Sequence, residues 1–74
     1  MKMDEYSRIL IEEYFLKHHS KKSQRLQYLV ELSYDVSAEG TDADAIFLER
    51  AIEQERNPEL KEALKDLDDF LFGW

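Results

Sequence analysis

The stretch Asn57-Pro58-Glu59-Leu60-Lys61-Glu62-Ala63-Leu64-Lys65-Asp66-Leu67-Asp68-Asp69-Phe70-Leu71-Phe72-Gly73-Trp74 decides the fold. Leu60, Ala63, Leu64, Leu67, Phe70, Leu71 and Trp74 recur at intervals of three and four, so they share one face of an α-helix. Pro58 fixes its own φ and lacks an N–H, which suits the first helical position, and Asn57 before it suits the N-cap. Local charge does little to hold this helix. Glu62 and Asp66 repel one turn apart, as do Lys61 and Lys65, and Asp68 and Asp69 sit at the negative end of the dipole. The apolar stripe must therefore be buried against other elements. Phe72 falls off that stripe, at about 100° per residue.

Upstream, Gly40 suits a left-handed residue between helices, and Thr41 with Asp44 resembles a capping box. Ala45, Phe47, Leu48, Ala51 and Ile52 then share a broad face, with Ile46 on the opposite side. Before Gly40, Leu26, Leu29, Val30, Leu32 and Val36 form a third stripe, with Ser33 read as a small residue that lets helices approach. The segment His18-His19-Ser20-Lys21-Lys22-Ser23 has no apolar residue and two serines able to cap, so it separates the first two helices. The spacing predicts helices at about 4–18, 23–37, 42–56 and 58–72, and no strand alternation competes with them. The expected fold class is all-α: a compact antiparallel bundle of four short helices in a single helical domain, residues 1–74.

The first helix is unlike the others. Met3, Tyr6, Ile9, Leu10, Ile11, Tyr14, Phe15 and Leu16 leave only a narrow polar strip around Arg8, Glu12 and His19. A chain of 74 residues cannot surround any one helix. Ile11 and Phe15, one turn apart, are therefore expected to face a second copy or another protein. Ile46, Phe72 and Trp74 form a second candidate set.

Charge is split along the chain. Residues 1–37 hold six Lys/Arg and six Asp/Glu, whereas residues 38–74 hold four and eleven, so the net charge of −7 lies in the second half. That excess opposes nucleic acid and anionic membrane as main ligands. Lys17, His18, His19, Lys21, Lys22 and Arg25 form one basic cluster, with no acid from residue 14 to residue 30. There is no cysteine, and no apolar run exceeds four residues. The chain therefore has no disulfide, thiolate site, secretory core or membrane span to read, and a cytoplasmic protein is expected.

No motif carries chemistry. His18 and His19 diverge on a helix and lack ligands at the next turn. Asp42, Asp44 and Glu53 match three positions of a calcium loop, but Phe47 stands where that loop requires glycine. The carboxylate pairs Glu12-Glu13, Glu49/Glu53 and Glu55/Glu59 have no reason to converge in a cleft. No phosphate-binding glycine loop is present, and neither a cofactor nor a metal is expected.

The chain reads as a small acidic protein-binding module, not an enzyme: a regulator, inhibitor or adaptor of a larger protein, with a homodimer as one form. Two other classes remain open. Asp42, Asp44, Glu49, Glu53, Glu59, Glu62, Asp66 and Asp69 could imitate nucleic acid in a basic groove, or the basic loop 17–25 could contact nucleic acid itself.

Overall fold

The computed structural model describes residues 4–34 and 40–73. The Val36 position, the expected end of the second helix and Trp74 lie outside them. Four helices are present: α1 (Glu5–Lys17), α2 (Lys21–Leu32), α3 (Asp42–Gln54) and α4 (Pro58–Phe72). No strand occurs among the described residues.

Local chemistry sets where the helices begin. Asp4 caps α1, its carboxylate accepting the Tyr6 N–H at 3.1 Å. Ser20 and Ser23 exchange hydrogen bonds at the start of α2: each backbone N–H donates to the other's hydroxyl, at 2.8 and 3.1 Å. Thr41 and Asp44 form the same box on α3, at 3.1 and 3.2 Å. Asn57 accepts from Glu59 N–H at 3.0 Å and Leu60 N–H at 3.4 Å, with Pro58 opening α4. These side chains satisfy backbone donors that a helix start leaves unpaired.

Tertiary contacts set how the helices run. Arg8, near the start of α1, reaches the end of α2. Its Nε donates to Ser33 Oγ at 3.3 Å and its Nη2 to the Ser33 carbonyl at 3.2 Å. The guanidinium also lies 4.4 Å from the centre of the Tyr34 ring, whose hydroxyl donates to Glu12 at 3.2 Å. A cation on the last carbonyls of a helix is where its dipole favours one. With only residues 18–20 joining them, α1 and α2 are thus an antiparallel hairpin. Phe72 at the end of α4 lies against Gly40 at the start of α3, so α3 and α4 form a second antiparallel hairpin. The hairpins meet where α1 packs on α4. There, Ser7 Oγ donates to Asp66 at 2.5 Å and the Tyr6 hydroxyl to Glu59 at 3.4 Å.

The core consists of Ile11, Leu26, Leu29, Val30, Leu48, Ala51, Leu60, Ala63, Leu64 and Leu67. The main helix pairs are α2 with α1, α1 with α4 and α4 with α3, while α2 approaches α3 through Arg25, which reaches Asp44 and Phe47.

Four sequence expectations are corrected. Ile11 does not face outward: it is 0% exposed, with Ser7 also buried and Arg8 half-buried beside it. The polar partners supplied by α4 and α2 draw that side of α1 inward, and Ile11 goes with it. Phe72 is not an outward residue either. It is half-buried and packs against the core, because the start of α3 comes back over it. Gly40 has no positive φ. It is needed for space, since a Cβ there would run into the Phe72 ring. Ser33 is more than a small spacer: its hydroxyl donates to the Val30 carbonyl at 2.5 Å and accepts from Arg8.

Candidate protein-binding surfaces

Two surfaces stand out, one at each side of the bundle. The first is the gap between α2 and α3, a groove of about 430 Å³ lined by Lys22, Arg25, Ala43, Ile46, Phe47, Arg50, Ala51 and Gln54. Its floor comes from α3. Ala43, Ile46, Phe47, Arg50, Ala51 and Gln54 repeat at three and four, so one helix face lines the groove over three turns. Ile46 is the most conspicuous, an isoleucine left 52% exposed. The Ser20–Ser23 box fixes where α2 starts, which places Lys22 and Arg25 on the near wall.

Arg25 ties the groove together. Its Nη2 lies 3.2 Å from Asp44 Oδ1, and its guanidinium sits 4.4 Å over the centre of the Phe47 ring. Asp44 thus serves α3 as a cap and α2 as a counter-ion at once. Arg25–Asp44 and Lys65–Glu62 are the ion pairs among the described residues, so neither Lys22 nor Arg50 is paired with a described carboxylate, and both bring positive charge to the groove. In a chain of net charge −7, a cationic rim over an apolar floor is a local reversal of sign.

The second surface is the outer face of α1. Tyr6, Ile9 and Leu16 are 58%, 45% and 68% exposed, and with Glu13 they form a single stripe opposite Ile11. Glu5 and Glu13 are exposed along it, and Tyr6 also borders a recess of about 370 Å³ that includes Asp4, Glu59, Glu62 and Asp66. This surface is apolar with acidic neighbours along most of its length and Lys17 exposed at its C-terminal end.

Of the residues singled out from the sequence, Ile46 lies on the first surface. Phe15 is half-buried, its ring meeting that of His19 edge-on with centroids 5.2 Å apart. Ile11 and Phe72 belong to the core packing, and Trp74 lies outside the described residues. The basic cluster 17–25 does not form one face: Lys22 and Arg25 turn into the groove, while Lys17, His18, His19 and Lys21 are exposed. His18 packs on Tyr14, with centroids 5.0 Å apart. The sequence reading missed Tyr6, Ile9 and Leu16 as the outward stripe and Arg50 as part of the groove. A helical wheel centred on Ile11 holds the signal for the stripe, but only once Ile11 is known to be inside.

Among the described residues no group of three or more His, Cys, Asp or Glu is arranged to hold a metal ion, and no helix is long and apolar enough to cross a membrane. No protein family, curated protein or solved structure matches this chain.

Two carboxylates give the fold a two-sided response to acid. Burial pushes the Asp44 carboxyl up, but its hydrogen bonds with Thr41 and Arg25 outweigh this and hold it below its ordinary value of 3.8. Burial, then Asp69 and Glu49, raise Asp68 above 3.8. A raised carboxyl opposes folding when ionised, so stability rises as pH falls through the folded value of Asp68 towards 3.8. A lowered carboxyl supports folding when ionised, and that support is lost as pH falls below 3.8 through the folded value of Asp44. Thermal melts across this range should show Tm rising and then falling. Asp68→Asn should abolish the rise and Asp44→Asn the contribution of Asp44 to the fall.

Proposed function

We propose that this chain is a small protein-binding module, acting as a regulator, inhibitor or adaptor of a larger protein, and that it binds through the groove between α2 and α3. The observation that carries this reading is the groove's composition: Ile46 and Phe47 on the floor, with Lys22, Arg25 and Arg50 around them. An apolar floor spanning three turns suits the helix-in-groove mode, in which a partner helix inserts side chains at i, i+3, i+4 and i+7. The cationic rim selects partners with carboxylates beside those apolar side chains. The ligand class is therefore an acidic amphipathic helix. Nucleic acid is disfavoured here, because much of the groove is apolar and the chain around it is acidic.

A displayed library of amphipathic helical peptides with randomised charges beside the apolar face tests this. Selection on the wild type should enrich Asp and Glu next to an i, i+4 apolar pair. Ile46→Asp and Arg50→Glu, both at exposed positions, should each weaken the enriched peptides by tenfold or more while the circular dichroism spectrum is kept. No enrichment, enrichment of basic peptides, or equal binding by the two variants would refute the assignment.

A further inference from the structure

We infer that, with no other protein bound, the α2–α3 groove of one copy takes the outer face of α1 from a second copy. The inference rests on the groove being the binding site and names an occupant the chain itself carries.

The two surfaces match in chemistry. The α1 stripe presents Tyr6, Ile9 and Leu16 with Glu5 and Glu13 exposed beside them and Lys17 at its C-terminal end, and so is an amphipathic helix face whose N-terminal three turns are acidic. The groove presents Ile46 and Phe47 with Lys22, Arg25 and Arg50. They also match in length. Tyr6 to Leu16 spans about 15 Å at the rise of an α-helix, and Ala43 to Gln54 about 16 Å. Within one copy they cannot meet, because the stripe lies opposite Ile11 and α1 is held by its other side to α2 and α4. Opposite charge on the two faces offsets, at the contact, the repulsion between two anionic chains. The stripe and the groove are different surfaces, so the contact closes into a dimer if both can be used reciprocally. Otherwise it continues head to tail.

The arrangement gives the groove a built-in competitor. A partner helix must displace α1 of the second copy, so partner binding and self-association exclude each other.

Sedimentation analysis over a dilution series from the millimolar to the low micromolar range tests this directly. The wild type should associate reversibly. Ile9→Asp on the stripe and Ile46→Asp in the groove should each make it monomeric with the helical spectrum intact. Arg50→Glu and Glu13→Lys should each weaken association by tenfold or more, and the double variant should recover most of the loss. A wild type monomeric at millimolar concentration, or association untouched by the groove variants, would overturn the inference. So would single charge reversals that weaken association without recovery in the double variant. The peptide selection is read separately. Acidic helices that bind through Ile46 to a strictly monomeric protein would leave the proposed function standing while this inference fails.

Discussion

Replacing Ile11 with aspartate should unfold the protein, while the same change at Ile9, two residues away, should leave it folded. Ile11 is 0% exposed and lies in the core, whereas Ile9 is 45% exposed on the opposite face of α1. A carboxylate at position 11 would sit among the apolar side chains of the core. The polar groups nearby are already engaged, Ser7 with Asp66 and Arg8 with Ser33. Burying a polar group without a partner costs several kcal/mol, and a charge costs more. At about 0.05–0.15 kcal/mol per residue the total stability of so short a chain is of the same order. Circular dichroism at ambient temperature checks this: loss of the helical signal for Ile11→Asp, with Ile9→Asp close to wild type. Equal tolerance of both changes would mean that α1 is turned the other way.

Truncating Leu64 or Leu67 to alanine should have the next largest effect. Both are 0% exposed and sit in the middle of α4, the helix that packs against both α1 and α3. Deleting a buried leucine side chain removes its transfer free energy and leaves a cavity, at about 2–5 kcal/mol. Little local pairing offsets that loss, because the Lys65–Glu62 contact at 3.5 Å is exposed and such pairs contribute at most about 1 kcal/mol. Urea unfolding should give a lower midpoint with an unchanged slope. A loss under about 1 kcal/mol at both positions would be too small for fully buried leucines.

The parts of this fold that are legible in the sequence are those decided by neighbours in the chain. The bounds of α4 follow from Asn57, Pro58 and the leucine stripe, and the start of α3 from Thr41 and Asp44. Ile46 is outward in both readings, because helix geometry places it opposite the buried Leu48. What was not legible is decided by residues far apart in sequence. The inward face of α1 carries Ser7 and Arg8 because Asp66 and Ser33 wait for them on other helices. Counting apolar residues along α1 therefore puts Ile11 on the outside, when it is in the core and the outward stripe is Tyr6, Ile9 and Leu16. Gly40 read as a turn residue because its neighbours in sequence suggested one, whereas its reason is the Phe72 ring, 32 positions on. The groove needed both kinds of information. The basic cluster and Ile46 are visible separately in the sequence, and only the approach of α2 to α3, where Arg25 meets Asp44 and Phe47, puts them together.

Binding at that groove can be mapped residue by residue. Amide chemical shifts of the isotope-labelled wild type should be followed as an acidic amphipathic peptide from the display selection is added. The expected result is that the largest changes fall on Lys22, Arg25, Ile46, Phe47 and Arg50, and that Ile46→Asp removes them. Changes centred on the acidic recess around Tyr6 and Glu59, or no saturable change, would contradict the assignment.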